Sequence, residues 1–368
     1  MGSRAKIGCT FGLLSLVIAA TLLFLAPVQK ADSAGAGSLP SSRNVIIFIG
    51  DGMGTEHVKA GGMFLKGEEG TLSFESFPAH ALVATDNARG KTTDSAAAAT
   101  AIATGRKVDN GVVSVALPGD GSPLETLLER FKSLGRSTGL VTTTFVTHAT
   151  PAAFGAHRRA REDYAGIAED YLSKTRPDVL FGGARYISPH SASSAGYTVV
   201  RDREEMKGLS GKAGLRVSGQ FGGDHMPYEL DGTGSLPHLS EMTASALDIL
   251  DDDPEGFFLM VEGGRIDHAS HANDAQRMVR EVAEFSRAVE EAVEWAAGRS
   301  DTLIVVTADH ETGGLEVVGT GGKGKAPEVR WGTREHTGKK VPLYAAGVNS
   351  GLFAGAMDNT DIHDLLLR

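Results

Sequence analysis

The chain has 368 residues, enough for one large α/β domain or two ordinary ones, and its 41% hydrophobic and 22% charged content is that of a globular protein. A net charge of −10 excludes a general nucleic-acid binder, which carries a basic face. A pocket made positive by bound cations is compatible with that charge.

Arg4 and Lys6 precede the apolar run "FGLLSLVIAATLLFLA" at 11–26, and small polar residues, "PVQKADSAGAGSLPSS", follow it. This order predicts a secretory signal peptide over 1–36, cleaved near Ala34 or Ala36, ahead of one folded domain over 37–368. An uncleaved N-terminal anchor is the alternative, the run being slightly short for a span. The protein is therefore expected to be exported, either periplasmic or secreted. The single cysteine, Cys9, lies before the apolar run, so the cleaved chain would hold no thiol or disulfide and carry −12.

From residue 43, short β-branched runs alternate with longer helical stretches. The runs at 45–49, 138–142, 179–181, 257–261, 303–306 and 341–345 are continuously apolar, as strands buried on both faces are. Amphipathic stretches at 124–134 and 278–297 end at Gly135 and Gly298, residues suited to helix stops. The alternation predicts an α/β fold: a single large domain with a mostly parallel central sheet and helices on both faces. Residues 185–237 are polar and glycine-rich and read as an excursion from the sheet.

Ligands of open parallel sheets bind outside the carboxyl ends of the strands. Those ends are loaded here. Asp51 follows "NVIIFI", and Glu262, Asp267, His268 and His271 follow "GFFLMV". Asp309 and His310 follow "TLIVVTA", while His148 and Thr150 follow "GLVTTTFV". Singly each has a bland explanation: Asp51 as a turn residue, Asp267 and His271 as a solvated pair, His336 as a surface histidine. "GDGMG" lacks the dinucleotide-loop spacing, and "HETGG" departs from the zinc-protease pattern at Gly314.

Together they form ligand sets. Asp267, His271 and His336 supply three donors of the types zinc takes; Asp51, Asp309 and His310 supply a second set. Asp51, Thr150 and Glu262 make an all-oxygen set suited to magnesium. Two zincs about 4 Å apart can clamp the attacking and leaving oxygens of an in-line displacement. In "KTTDSAAAATAIATG" (91–105), Asp94 suits a helix cap and Ser95 the first turn, where the dipole favours an anion. Beside a zinc, the Ser95 hydroxyl would ionise and serve as a nucleophile. An arginine should face phosphoryl oxygens; spacing leaves Arg158, Arg159 and Arg161 open.

The segments "NVIIFIGDGMG" (44–54), "TTDSAAAATAIATG" (92–105), "HATPAAFGAHRRAR" (148–161), "FFLMVEGGRIDHASHAND" (257–274), "TADHETGG" (307–314) and "EHTG" (335–338) resemble those of the alkaline phosphatase family, in the family's order. The resemblance spans residues 43–347. It implies hydrolysis of small-molecule phosphate monoesters at alkaline pH, with two zincs, one magnesium and a phosphoserine at Ser95. It makes Asp51 the bridge between the second zinc and magnesium, and Thr150 and Glu262 magnesium ligands. Asp267, His271 and His336 correspond to first-zinc ligands, Asp309 and His310 to second-zinc ligands. It selects Arg161 as the phosphate clamp and puts His148 and His268 within reach of phosphate and the third metal. Some bacterial members have Asp and Lys at these two positions; His at both is closer to animal and some marine bacterial types. Only 25 residues separate His310 and His336, too few for the crown insertion common in dimeric members, so a monomer or a minimal homodimer is expected.

Three other functions compete. A sulfatase needs Cys or Ser in a C/S-x-P-x-R motif, and the run of alanines after Ser95 excludes it. A related phosphodiesterase typically has a threonine nucleophile and no third metal site. A non-catalytic exported metal- or phosphate-binding protein would have little reason to keep Ser95 beside a full ligand set.

Overall fold

Nearly continuous apolar runs can be buried only if both faces of their sheet are covered, and that is the arrangement found. The computed structural model describes residues 1–2 and 42–368; the predicted signal segment, apart from its first two residues, falls outside them. All elements below belong to the compact unit Leu39–Arg368. The strands are β1 (Asn44–Ile49), β2 (Ala79–Ala84), β3 (Ser137–Phe145), β4 (Val179–Gly183), β5 (Thr198–Val200), β6 (Val217–Gln220), β7 (Phe257–Glu262), β8 (Thr302–Thr307), β9 (Glu311–Thr312), β10 (Glu316–Val317), β11 (Val329–Arg330), β12 (His336–Thr337), β13 (Val341–Gly347) and β14 (Gly355–Asp358).

Ten of them form one sheet in the order β14-β2-β13-β8-β1-β7-β3-β4-β6-β5. Neighbours are parallel except where β13 runs against β8 and β2. Every residue of β1, β7 and β8 is buried. The predicted mixed-layer α/β architecture is therefore the one observed. The helix read at 124–134 begins later, at Leu127, because Thr126 and Glu129 form a capping box. The one read at 278–297 spans Ala275–Trp295, with Asp274 accepting from Gln276 and Arg277 N–H at its start.

Residues 185–237 are not an excursion. They contribute β5 and β6, which extend the sheet beyond β4 in parallel register. Strands of three and four residues between glycines carry too little apolar periodicity to be read from sequence.

Helix Ser95–Thr104 is buried along its whole length. Asp94 caps it by accepting from Ala97 N–H at 3.0 Å, an interaction worth about 1 kcal/mol. Its alanines present no bulk, so it packs closely against helix Ala149–Gly155, which follows β3.

Candidate active site

Strand register sets the site. Ile49 is level with both Glu262 and Thr307, and Glu262 is level with Thr142. The carboxyl ends of β3, β7, β1 and β8 thus form one line, and the residues just beyond them meet. Helix Arg265–His271 follows β7 and carries Asp267 and His271 one turn apart. The β9–β12 pair sets His336 opposite Thr312, turning the last imidazole back over β8. Gly52 must be glycine for two reasons. Its φ is +75°, and a Cβ there would lie 2.8 Å from Thr312 Oγ1 and 2.9 Å from Asp267 Oδ1.

Hydrogen bonds fix the tautomers of three imidazoles. His336 Nδ1 lies 2.9 Å from the Thr93 carbonyl, and His271 Nδ1 bonds to the Arg334 carbonyl. A carbonyl only accepts, so each Nδ1 bears the proton. Thr312 gives its hydroxyl proton to Asp267 Oδ1 at 2.5 Å and so accepts from His310 Nδ1 at 3.2 Å. All three Nε2 atoms are left to face the cluster, oriented as metal-binding imidazoles are. His271 Nε2 lies 3.0 Å from His336 Nε2 and 3.3 Å from Asp267 Oδ2. His310 Nε2 lies 3.2 Å from Ser95 Oγ, 3.3 Å from Asp309 Oδ2 and 3.4 Å from Asp51 Oδ1.

Four buried carboxylates surround these nitrogens. Burial and the neighbouring Asp309 raise the Asp51 carboxyl well above its ordinary range, and burial with the nearby Asp267 pushes Asp309 up to about 8. Glu262 is also raised by burial, against the hydroxyls of Thr142 and Thr150. Burial would raise Asp267 too, but His271, His310 and His336 hold it well below the usual range. The bond to Asp267 raises His271 to about 9, so in the protein alone a proton sits on Nε2 between the two.

Acidic groups are thus packed together with several of their oxygens short of donors. Both oxygens of Asp51, Oδ2 of Asp309, Oε1 of Glu262 and the Thr150 hydroxyl are buried with no hydrogen bond of acceptable geometry. Such orphaned atoms are costly unless something satisfies them. Donor atoms of Asp267, His310 and His336 fall within 4.8 Å of one another, as do those of Asp51, Asp309 and His310, and those of Asp51, His148 and Glu262. The donor sets fit divalent cations: two mixed nitrogen–oxygen sets and one rich in oxygen.

The arginine and histidines expected to meet phosphate lie next to them. Asp94 Oδ2 accepts from Arg161 Nη1 at 3.0 Å, so the residue that caps the Ser95 helix also holds the guanidinium. Arg161 Nη2 donates to His148 Nε2 at 3.4 Å. Arg265 donates to His268 Nδ1 at 2.8 Å, which leaves the proton of a neutral His268 on Nε2. Burial holds His268 down at about 3, despite Asp267. His225 reaches the same place, with its ring 4.6 Å from that of His268 and 5.4 Å from that of His148.

Residues 42–191 and 183–329 match the family model described as Alkaline phosphatase. Alkaline phosphatase 3 of Bacillus subtilis is 32% identical, with 91% of this chain and 90% of the relative covered. Streptomycin-6-phosphate phosphatase of Streptomyces griseus is 33% identical over 94% of both. The cold-active alkaline phosphatase of a psychrophilic Shewanella superposes with a TM-score of 0.80 at 30% identity, covering 88% of this chain and 98% of that one. A mutant alkaline phosphatase of the Antarctic bacterium TAB5, solved with magnesium in its M3 site, gives 0.78 at 29% identity, covering 89% and 98%. The chain belongs to the alkaline phosphatase family. It is a phosphatase, and hydrolysis of phosphate monoesters is its activity.

In this phosphatase the structure brings together every residue read as a site residue from sequence: Ser95, Arg161, His148, His268, Asp51, Thr150, Glu262, Asp267, His271, Asp309, His310 and His336. Sequence reading missed the groups that orient them. Thr142 donates to Glu262 Oε2 and Thr144 does so at 3.3 Å; Gly52 N–H donates to Asp309 Oδ1 at 3.1 Å. Thr312 ties Asp267 to His310. The alternate threonines of "TTTF" were the available signal, since every second residue of a strand shares a face. Asp94 was read as a cap only.

Proposed function

We propose that this phosphatase hydrolyses its esters through a covalent phosphoserine at Ser95, at a site that binds two zinc ions and one magnesium ion. Asp267, His271 and His336 would hold one zinc, and Asp51, Asp309 and His310 the other. Asp51, Thr150 and Glu262 would hold magnesium, a role given weight by the magnesium in the M3 site of the TAB5 mutant. When bound, such ions act as Lewis acids, lowering the pKa of oxygen ligands and offsetting charge on phosphoryl oxygens.

The chain's own residues do the rest. The guanidinium of Arg161, held by Asp94, can take two phosphoryl oxygens in its fork. The Nε2–H of His268 adds a neutral donor. Ser95 Oγ, in the first turn of its helix and 3.2 Å from His310 Nε2, attacks phosphorus. The bond to the leaving oxygen breaks, and the alcohol departs with a proton. Water then attacks the phosphoserine, returning the Ser95 hydroxyl and releasing phosphate. Two inversions give net retention at phosphorus.

The observation that carries this proposal is the gathering of three Nε2 atoms and orphaned carboxylate oxygens in one cluster, with Ser95 Oγ at its edge, 3.2 Å from His310 Nε2. Its test is hydrolysis of a chiral phosphate monoester by protein stripped with chelator and reloaded with zinc and magnesium. Retention, with activity restored by both metals, is expected; inversion would rule out the phosphoserine. Aryl diesters run in parallel should turn over far more slowly. We further propose that the chain is exported, on the strength of the basic, apolar and small-residue segments of 1–36. N-terminal sequencing of extracellular or periplasmic protein checks it, with a start near residue 35 or 37 expected.

A further inference from the structure

Beside the proposed phosphate site, in a part of the molecule the hydrolytic steps leave unused, stands a group of aromatic rings. Tyr186 follows β4. Its φ is +72°, a left-handed conformation that a bulky side chain rarely adopts. Yet its ring is not a core ring: the residue is 42% exposed. It stacks on Tyr164, with centroids 4.6 Å apart and planes at 21°. Phe145 meets both edge-on, at 5.2 and 5.6 Å. Phe145 is also edge-on to His148 at 5.2 Å, and Tyr164 lies three residues beyond Arg161. The rings therefore form a wall that runs from the phosphate clamp to the surface.

The guanidinium of Arg185 lies 5.0 Å from the Tyr186 ring centroid and is held in place by both oxygens of Asp224 at 3.2 Å. Tyr186 also borders a cavity of about 480 Å³, lined in addition by Ile187, Pro189, Arg201 and Gln220. A strained backbone that keeps an aromatic ring half exposed next to a reactive centre is the kind of outlier from which function is inferred.

Resting on the phosphate site assigned above, we propose that Tyr186, backed by Tyr164, binds the planar aromatic leaving group of the ester. Tyr186 is then a specificity residue for aryl or nucleoside monophosphates. A π-face offers offset stacking to any flat ring, whereas an alkyl leaving group has none to offer. The preference appears in binding and in kcat/KM at low substrate, while inhibition by inorganic phosphate, which has no leaving group, does not depend on Tyr186.

The metal-loaded protein is titrated by calorimetry with phenylphosphonate and with methylphosphonate, neither of which can be hydrolysed. The wild type should bind the first about tenfold more tightly. Tyr186→Ala should close that gap, and Tyr186→Phe, which keeps the ring, should retain it. Equal binding by the wild type, or an unchanged gap in Tyr186→Ala, overturns the proposal. Melting temperatures show whether the variants fold. In parallel, kcat/KM is compared for phenyl phosphate, adenosine monophosphate and glycerol 1-phosphate. A preference confined to phenyl phosphate assigns the platform to aryl esters; one confined to adenosine monophosphate assigns it to nucleobases. Turnover of none of them, with the phosphonate gap intact, overturns the hydrolytic function and leaves the platform standing. Failure to bind either phosphonate overturns the platform, and the turnover assays then decide the hydrolytic function on their own.

Discussion

Two regions of this phosphatase gather acids and imidazoles, and they differ in what those groups lack. At the strand ends, both oxygens of Asp51, Oδ2 of Asp309 and Oε1 of Glu262 are buried with no hydrogen-bond donor, and the Nε2 atoms of His271, His310 and His336 face the same cluster of acids. Around helix Leu239–Leu250, Glu229, His238 and Glu284 also place donor atoms within 4.8 Å of one another. There, every valence is met. His238 Nδ1 bonds both oxygens of Glu229 at 2.9 and 2.8 Å; Ser240 N–H and hydroxyl donate to Glu284 Oε1 at 2.9 and 2.6 Å, and Arg287 donates to its Oε2 at 3.0 Å. Proximity is shared by the two regions, and unmet valence is confined to one. Only the first calls for cations; the second is a helix-start brace.

The largest effect that sharpens this contrast comes from Ser95→Ala. It removes the proposed nucleophile and none of the ligands, so turnover should fall by about 10³-fold or more while zinc content is unchanged. His336→Ala should act the other way round. It deletes one of three donors, so zinc affinity should fall beyond the roughly 10–100-fold that loss of an orienting partner costs. Glu284→Gln, in the second region, should leave metal content alone. Metal analysis of the three purified variants checks all of this, and zinc lost equally from Ser95→Ala and His336→Ala would break the ligand assignment.

Much of this was legible in sequence because burial on both faces leaves a plain mark. The runs of β1, β7 and β8 fit covered parallel strands, and their carboxyl ends located the candidate ligands. The orienting groups were not legible. Thr312 reaches Asp267, 45 positions away, from β9, a strand of two residues with no periodicity to announce it. Asp94 reaches Arg161 across 67 positions, and nothing in a cap motif announces a second partner. β5 and β6 were lost for the same reason: they are short, and their role appears only once β4 is in place.

A smaller effect tests what burial alone does to a carboxylate. Glu281, on helix Ala275–Trp295, is buried and pushed up to about 8 by desolvation, although Glu229 N–H donates to it at 2.8 Å. The folded state keeps its proton where the unfolded state has lost it. Stability from this group is therefore full below the ordinary glutamate range and is lost as pH rises through about 8. Glu281→Gln should remove that loss, gaining a few kcal/mol over wild type at pH 9 and little near pH 4. Denaturant midpoints of metal-loaded protein at the two pH values check it. A constant difference between wild type and variant would mean that the carboxyl ionises without penalty.

The smallest effects concern His148 and His268, which stand where the proposed cation ligands meet the proposed phosphate site. His148 shares a donor set with Asp51 and Glu262, and burial followed by the Arg161 charge keeps it neutral. Imidazole is a good zinc ligand and a poor partner for hydrated magnesium. His148→Asp should therefore shift the third site toward magnesium, with stimulation by added magnesium appearing at several-fold lower concentration. His268 is neutral as well, so a lysine in its place adds a full positive charge beside phosphate. His268→Lys should lower the inhibition constant for phosphate by roughly three- to tenfold, the range expected of one partly screened charge at such a distance. Because a tighter product leaves more slowly, turnover should fall where release limits the rate. Phosphate inhibition measured at high pH, with magnesium varied, separates the two. If neither constant moves, both imidazoles act only by orienting water and neighbouring side chains, and the contrast between satisfied and orphaned groups then ends at Asp51, Thr150 and Glu262.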